Sequence, residues 1–408
     1  MAVTVYQPIT FGDTSGDLED HIVAGDQTLI DTLLFASGTL VGDASTLSQF
    51  AIGGNDTVVL FGTNPFLAIG DALTITNHAT GGNDDVEAHS RSTGTAIGDA
   101  VTLNDHAQGG NDSVVTTGLV SAFSFGDAQT ITNQAHGGND TVSATSVFQD
   151  AVAYGDSETM FGHAQGGDDT VTATNNLNLI ATAGLSAPPG LSASAYGDAQ
   201  VMSGFAHGGN DHVDAEAQIA SALAYGDAQT MTDHASGGDD VVTGNGPAPQ
   251  LFGDAYTLTG FAVGGNDTLI APNNPPFNAT AQMYGDGAQL LDHAKGGNDT
   301  LISGPRDDQM WGDAAIVAPT AQTGADRFVF SLALIDQPSP SIGHDTIMDF
   351  QSGQDHIEIQ GFENITNFAD VQSHTTDTAQ GSLITIDATD SILVGNDHNL
   401  TSGDFIFT

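Results

Sequence analysis

Thirteen residues separate two aspartates, and that distance recurs unchanged along most of the chain. The first Asp of each pair follows a glycine, and the second closes a Gly-Gly-Asn/Asp-Asp turn. Asp43, Asp71, Asp99, Asp127, Asp156, Asp198, Asp227, Asp254 and Asp286 stand 13 residues before Asp56, Asp84, Asp112, Asp140, Asp169, Asp211, Asp240, Asp267 and Asp299, respectively. A tenth Gly-Asp ends at Asp313. The way back from a Gly-Gly turn to the next Gly-Asp is elastic, between 14 and 29 residues. A rigid half and an elastic half make a repeat of about 28 residues, a period that predicts a solenoid.

Other positions keep step with these aspartates. An apolar or aromatic residue stands two before each Gly-Asp aspartate: Ile69, Ile97, Phe125, Tyr154, Tyr196. Four after it comes an aliphatic such as Leu103, Ile131 or Met160, and eight after it always Ala, from Ala51 to Ala294. Two past each Gly-Gly turn stands Val or Leu, such as Val86 and Val114. Each column would stack on itself if successive repeats were coils about 4.8 Å apart, the spacing of neighbouring strands. Short alternating runs such as Thr-Ile-Thr and Thr-Val-Ser read as strands, and the Gly pairs suit tight corners. The expected class is all-β, a parallel β-solenoid. Its elastic half carries the insertions. The longest, around Thr174–Ala195 and containing Ala187-Pro188-Pro189-Gly190, reads as a loop on one side.

The ends differ from the middle. Residues 1–40 are a worn copy, in which Gly12-Asp13 and Gly25-Asp26 are again 13 apart, and read as an N-terminal capping repeat. The array occupies 41–322. From Thr323-Gly324-Ala325-Asp326 the period is lost, and 323–408 reads as a β-rich C-terminal cap. The opening residues have neither a basic region nor an apolar stretch, so no cleavable secretory signal is expected there. No apolar run reaches the roughly 20 residues of a membrane span.

The charge decides the chemistry. Four basic against 51 acidic residues give −47, which excludes nucleic acid as a partner, since phosphates demand Lys and Arg. No cysteine is present, so disulfides and thiolate metal sites are excluded. Such a charge ordinarily means disorder. Here 39% of residues are hydrophobic and recur in register, so disorder without a cation and order with one is the expectation. Two carboxylates about 4.8 Å apart repel by ~0.9 kcal/mol in water and by ~3.5 at an effective dielectric near 20. Over one file of stacked Asp that repulsion reaches roughly 7–28 kcal/mol, against the roughly 5–15 kcal/mol that stabilises an ordinary domain. Carboxylates alternating with Gly carbonyls are hard oxygen ligands that suit Ca²⁺. Mg²⁺ holds its waters and wants a strict octahedron. All the aspartates named above are candidate metal ligands. Those of the Gly-Asp file either hold a second row of ions or cap the backbone.

The stretch Gly-Gly-Asn-Asp-x-Val resembles the nonapeptide G-G-x-G-x-D-x-U-x of RTX (hemolysin-type) calcium-binding proteins. With Asp140 on the family Asp, Gly138 falls on the preceding Gly and Val142 on the apolar U. Ala135 and His136 replace the family's first two glycines. The resemblance implies a parallel β-roll with Ca²⁺ held between turns. The tail resembles the C-terminal domain of type I-secreted RTX proteins such as the serralysin-like proteases. Asp326, Phe328 and Phe330, the run from Asp345 to Ile359, and Leu400 through Phe407 carry that likeness. It implies an uncleaved C-terminal export signal, the type I secretion apparatus as a partner, and an extracellular or cell-surface location.

Other columns have plainer readings. His78, His106, His163, His234 and His293 share theirs with Phe50, Phe205 and Phe261, so a stacking column fits better than a zinc ladder. The Tyr column shares positions with Ile and Phe and reads as a core ladder. Thr files flanking the inward aliphatics could order ice, but Asn104, Phe161, Val201 and Gln289 interrupt them. Neither an H-E-x-x-H helix nor a G-x-S-x-G elbow is present, so no enzyme is expected. The sequence thus points to a secreted Ca²⁺-binding structural or surface protein that self-associates. The alternatives are an export and folding module of a secreted enzyme and, behind it, an ice-binding solenoid.

Overall fold

Each repeat supplies three strands, and each strand lies beside its counterpart in the next repeat. In a computed structural model, residues 3–33, 37–176, 191–218, 221–272, 280–335, 337 and 340–408 are described. One coil shows the plan. Thr93–Ile97 is followed by the Gly98-Asp99 corner, then Ala100–Leu103, the Gly109–Asp112 corner, and Ser113–Gly118. The pairing is parallel and in register: Ile97 opposes Phe125, Thr102 opposes Thr130, and Val114 opposes both Val86 and Val142. Among the described residues three sheets of 15, 11 and 13 strands result, making a β-solenoid of about 11 turns.

Side chains alternate across each strand, so each strand has an inner and an outer row. Val86, Val114 and Val142 of the third sheet pack with Ala96 and Ala122 of the first. Leu103 and Ile131 of the second sheet pack with the corner alanines Ala107 and Ala135. The aromatic column lies on the opposite face of the first sheet. Phe125, Tyr154, Tyr196, Tyr225, Phe252, Tyr284 and Trp311 stack at 4.5–5.0 Å between centroids. Most of these rings are buried, and Val3 and Tyr6 of the N-terminal segment pack against the same cluster. The ladder is therefore a stack, as expected, but one laid in an outer seam.

The change of period near 323 does not interrupt the first and third sheets. Arg327–Ser331, His356–Gln360 and Phe405–Phe407 extend the third sheet, and His344–Ile347 extends the first. An antiparallel hairpin, Thr375–Thr378 with Gly381–Thr385, then joins the first sheet through Ser391–Gly395. The tail also holds an α-helix that periodicity did not announce, Phe368–His374, capped by Asn367. Of the long insertion, residues 177–190 lie outside the described residues; the rest stands where the third strand of one coil leads to the first of the next.

The Ala column is closed to solvent, with Ala135 fully buried between Ala107 and Ala164. Ala135→Leu should overpack that corner and destabilise the chain by about 1–3 kcal/mol. Urea unfolding at constant Ca²⁺ measures it, and an unchanged midpoint would show spare room at the corner.

Candidate metal centre

The two kinds of corner lie against each other, and their aspartates fasten both. Within a coil, the Gly82 N–H donates to Asp71 Oδ2 at 2.7 Å, so the Gly-Asp carboxylate holds the Gly-Gly turn. Between coils, the Asp56 N–H donates to Asp84 Oδ1 at 2.7 Å, so the turn aspartates chain together along the axis. The same two bonds return as Gly138 N–H to Asp127 Oδ1 at 2.8 Å and Asp112 N–H to Asp140 Oδ1 at 2.7 Å. Outside them runs an exposed amide file, in which the Asn83 N–H donates to Asn55 Oδ1 at 2.8 Å.

These bonds use one carboxylate oxygen and leave the other. Asp43 Oδ1, Asp56 Oδ2, Asp71 Oδ1 and Asp84 Oδ2 are buried without a hydrogen-bond partner. So are one oxygen each of Asp112, Asp127, Asp140, Asp156, Asp169, Asp198, Asp211, Asp227, Asp240, Asp254, Asp267, Asp286 and Asp299. The aspartates of both files are 0–3% exposed. In the first gaps the oxygens converge: one from each of Asp43, Asp56 and Asp71 lie within 4.8 Å of one another, and likewise for Asp71, Asp84 and Asp99. An unpartnered buried carboxylate is costly unless a cation or a proton joins it.

Glycine makes the space. A Cβ on Gly98 would fall 2.0 Å from Asp112 Oδ2 and 1.8 Å from the carbonyl oxygen of Gly126. That carbonyl is skipped by the ladder, because Asp99 and Ala100 both donate their N–H to Asp127 O, each at 3.0 Å. Such a gap therefore gathers carboxylate oxygens and a Gly carbonyl, all hard donors without nitrogen or sulfur. The set fits Ca²⁺, which takes 6–8 oxygens in flexible geometry. What the strip can do chemically is hold a row of divalent cations.

The sequence-derived candidates all lie in this strip. Asp43, Asp71, Asp99, Asp127, Asp156, Asp198, Asp227, Asp254, Asp286 and Asp313 face the turn aspartates instead of forming a separate row. Most of them cap backbone with one oxygen and leave the other unpartnered; Asp99 instead receives the Gly110 N–H on both oxygens at 3.0 Å, and the second oxygen of Asp313 receives the Gln351 side-chain amide. Asp326 was missed, although it stands 13 residues after Asp313. It accepts the Asp299 N–H at 3.0 Å and keeps Oδ2 unpartnered. Asp349 and Asp355 lie outside the period and gave no signal; they receive the N–H groups of Gly312 and Asp313, and of Asp326 and Gln351. Asp26 falls in the Asn file, because it accepts the Asn55 N–H at 3.0 Å. The place of the turn Asp in that coil belongs to Gln27. The His column stacks outside, with His78 and His106 centroids 4.5 Å apart, and no His enters these Asp groups among the described residues.

Residues 255–405 match the family model described as Peptidase M10 serralysin C terminal. The matched family is an RTX-type repeat domain, and such a domain is not the catalytic part of a protease. Among solved structures, the extracellular lipase LipA from Serratia marcescens is matched over 85% of this chain and 40% of the lipase chain. Identity there is 14% and the TM-score 0.19, too low to carry an argument. No curated protein matches the sequence.

Burial, and after it the neighbouring carboxylates, pushes these aspartates upward: Asp56 to about 7, and Asp71, Asp84 and Asp140 well above the ordinary 3.8. For Asp43, burial is likewise the main cause of a rise to about 6. Without metal, the folded state keeps protons that the unfolded chain releases, so stability falls as pH rises from the ordinary value through the raised one. The metal-free chain should therefore show strand circular dichroism near pH 4 and lose it by about pH 7. Saturating Ca²⁺ should abolish that loss. A metal-free spectrum equally β-rich at both pH values would contradict the proton accounting.

Proposed function

We propose that this chain is a secreted, calcium-dependent solenoid with a structural role, as part of a matrix, surface layer, adhesin or filament. The observation that carries it is the continuous strip of buried, unpartnered aspartate oxygens. A strip of that kind is stable at neutral pH only with cations in it, so folding and Ca²⁺ binding are one event. Asp43 through Asp313 of the Gly-Asp file and Asp56 through Asp299 of the turn file would hold the ions. Outside the serralysin-type region the described residues are more of the same coil, which supports a non-enzymatic role. Among them no helix is long and apolar enough to cross a membrane. Circular dichroism in excess chelator at neutral pH should show coil, and added Ca²⁺ should restore strand signal cooperatively. A spectrum indifferent to both would refute the reading.

Self-association is supported by the ends. The second sheet stops at Ala314–Val317 while the other two continue, and Ile316 is 54% exposed there. At the opposite end Ile22, Val23 and Ile30 are exposed on the first coil. Open strand edges beside exposed apolar side chains seek partners. A head-to-tail contact that does not close propagates into a filament. Light scattering should rise with Ca²⁺ at constant ionic strength, and Ile316→Lys should suppress it. The competing reading, an export and folding module associated with a secreted enzyme, is favoured by the serralysin-type match. A strictly monomeric chain at millimolar Ca²⁺ would leave that reading standing.

The export signal is proposed to lie in the tail. Phe405–Phe407 pairs with His356–Gln360 as the last strand of the third sheet. Deleting Ser402–Thr408 should retain the protein in the cell, and undiminished secretion through a type I exporter would contradict that placement.

A further inference from the structure

Oxygens left bare in the interior coils are partnered at the two ends, and glutamine partners them. In the first coil, the Gln27 N–H donates to Asp56 Oδ1 at 2.6 Å, as the Asp56 N–H does to Asp84 Oδ1 at 2.7 Å. Gln27 therefore occupies the turn-aspartate position. Asp13 is the counterpart of Asp43: it takes the Gly25 N–H at 3.0 Å, and Asp43 takes the Gly54 N–H at 2.8 Å. The other oxygen of Asp43 has no partner. The corresponding oxygen of Asp13 receives the Gln27 side-chain amide.

The far end repeats the arrangement with different residues. Asp313 takes the Gly324 N–H on Oδ1, and Gln351 Nε2 donates to its Oδ2 at 3.1 Å. Gln354 Nε2 donates to the carbonyl of Gly324. The equivalent carbonyl of Gly110 faces the glycine of the next coil, where a Cβ on Gly138 would lie 1.3 Å away. Beyond Asp313, Asp326 Oδ2 is the one buried carboxylate oxygen left unpartnered among the described residues, since both oxygens of Asp349 accept backbone N–H groups. One carboxylate oxygen does not make a site for a hard cation that wants six or more.

We propose that Gln27 at one end and Gln351 with Gln354 at the other terminate the cation row, their amides standing in for the ion. A primary amide offers two donors and no net charge. It satisfies a carboxylate or carbonyl oxygen where the coil stack ends and a cation would be only half enclosed. The row is thereby confined between the gap of Asp43, Asp56 and Asp71 and the gap of Asp286, Asp299 and Asp313. This inference rests on the calcium reading above, but it adds which gaps are closed to ions.

Equilibrium dialysis of the full chain against labelled Ca²⁺, with native mass spectrometry, counts the ions. Gln27→Asp restores the turn aspartate and should raise the count by about one ion; Gln351→Glu should do the same at the far end. Gln27→Ala removes the amide without supplying a carboxylate and should add none. Circular dichroism and amide protection of the strand Thr28–Leu33 report whether the altered coil is formed. An unchanged count in a folded Gln27→Asp or Gln351→Glu chain overturns the proposal. So does a first coil that loses protection in Gln27→Asp without gaining an ion. Wild-type protein that binds no Ca²⁺ would instead sink the calcium reading itself.

Discussion

Repulsion between buried carboxylates governs this structure. Aspartate is among the residues least often buried unpaired, yet here two per coil are buried in a continuous file. No Lys or Arg is available in number to compensate, because the chain has only four. The fold is thus conditional. Backbone N–H groups satisfy one oxygen of most of these carboxylates, and each second oxygen left unpartnered needs a proton or a metal. The same carboxylates line the strip with hard oxygens when the coils stack.

Stacking in turn depends on what does not fill the strip. Gly98 and its equivalents stand where any side chain would collide with a carboxylate oxygen and a carbonyl. The alanine column at the adjoining corner keeps the second sheet close to the strip. Aliphatic rows in the interior then supply the packing. The aromatic seam ties successive coils together on the outer face, where stacked rings add about 0.5–1.5 kcal/mol per pair beyond their burial.

Much of this was legible because a solenoid writes the same contact repeatedly. The period, the all-β class, the in-register columns and the acidic residues of the strip all follow from identical residues at identical spacing. What escaped depends on chain closure in space. Nothing in spacing says that the Gly-Asp file and the turn file share one gap, because that follows from a hydrogen bond spanning 11 residues between Asp71 and Gly82. Asp26 sits one position off the expected file because the first coil carries an extra residue, which the pairings of Asp26 with Asn55 and of Gln27 with Asp56 reveal. Asp349 lies beyond the period, so its service to Gly312 and Asp313 is a tertiary fact. The His and Tyr columns were legible as stacks, but which face each stack occupies was not.

The contrast between a constant 13 residues and a variable return has a physical cause. The 13-residue half carries two aspartates that must face one gap, with the second strand and a fixed corner between them. One added residue there would rotate a carboxylate away from its partners and flip the strand's faces. The first coil bears this out at its edge. Asp13 to Gly25 is one residue longer than Asp43 to Gly54, and Gln27 stands where the turn Asp stands in later coils. The return half runs outside the strip, from the end of the third strand to the next first strand. Its cost is only loop closure, about 0.6 kcal/mol per doubling of length. From Asp169 to Asp198 the return stretches to 29 residues, and yet the Asp169 N–H still donates to Asp211 Oδ1 at 2.8 Å. Insertion is therefore cheap on one side of the coil and excluded on the other, and the excluded side is the one that holds the charge.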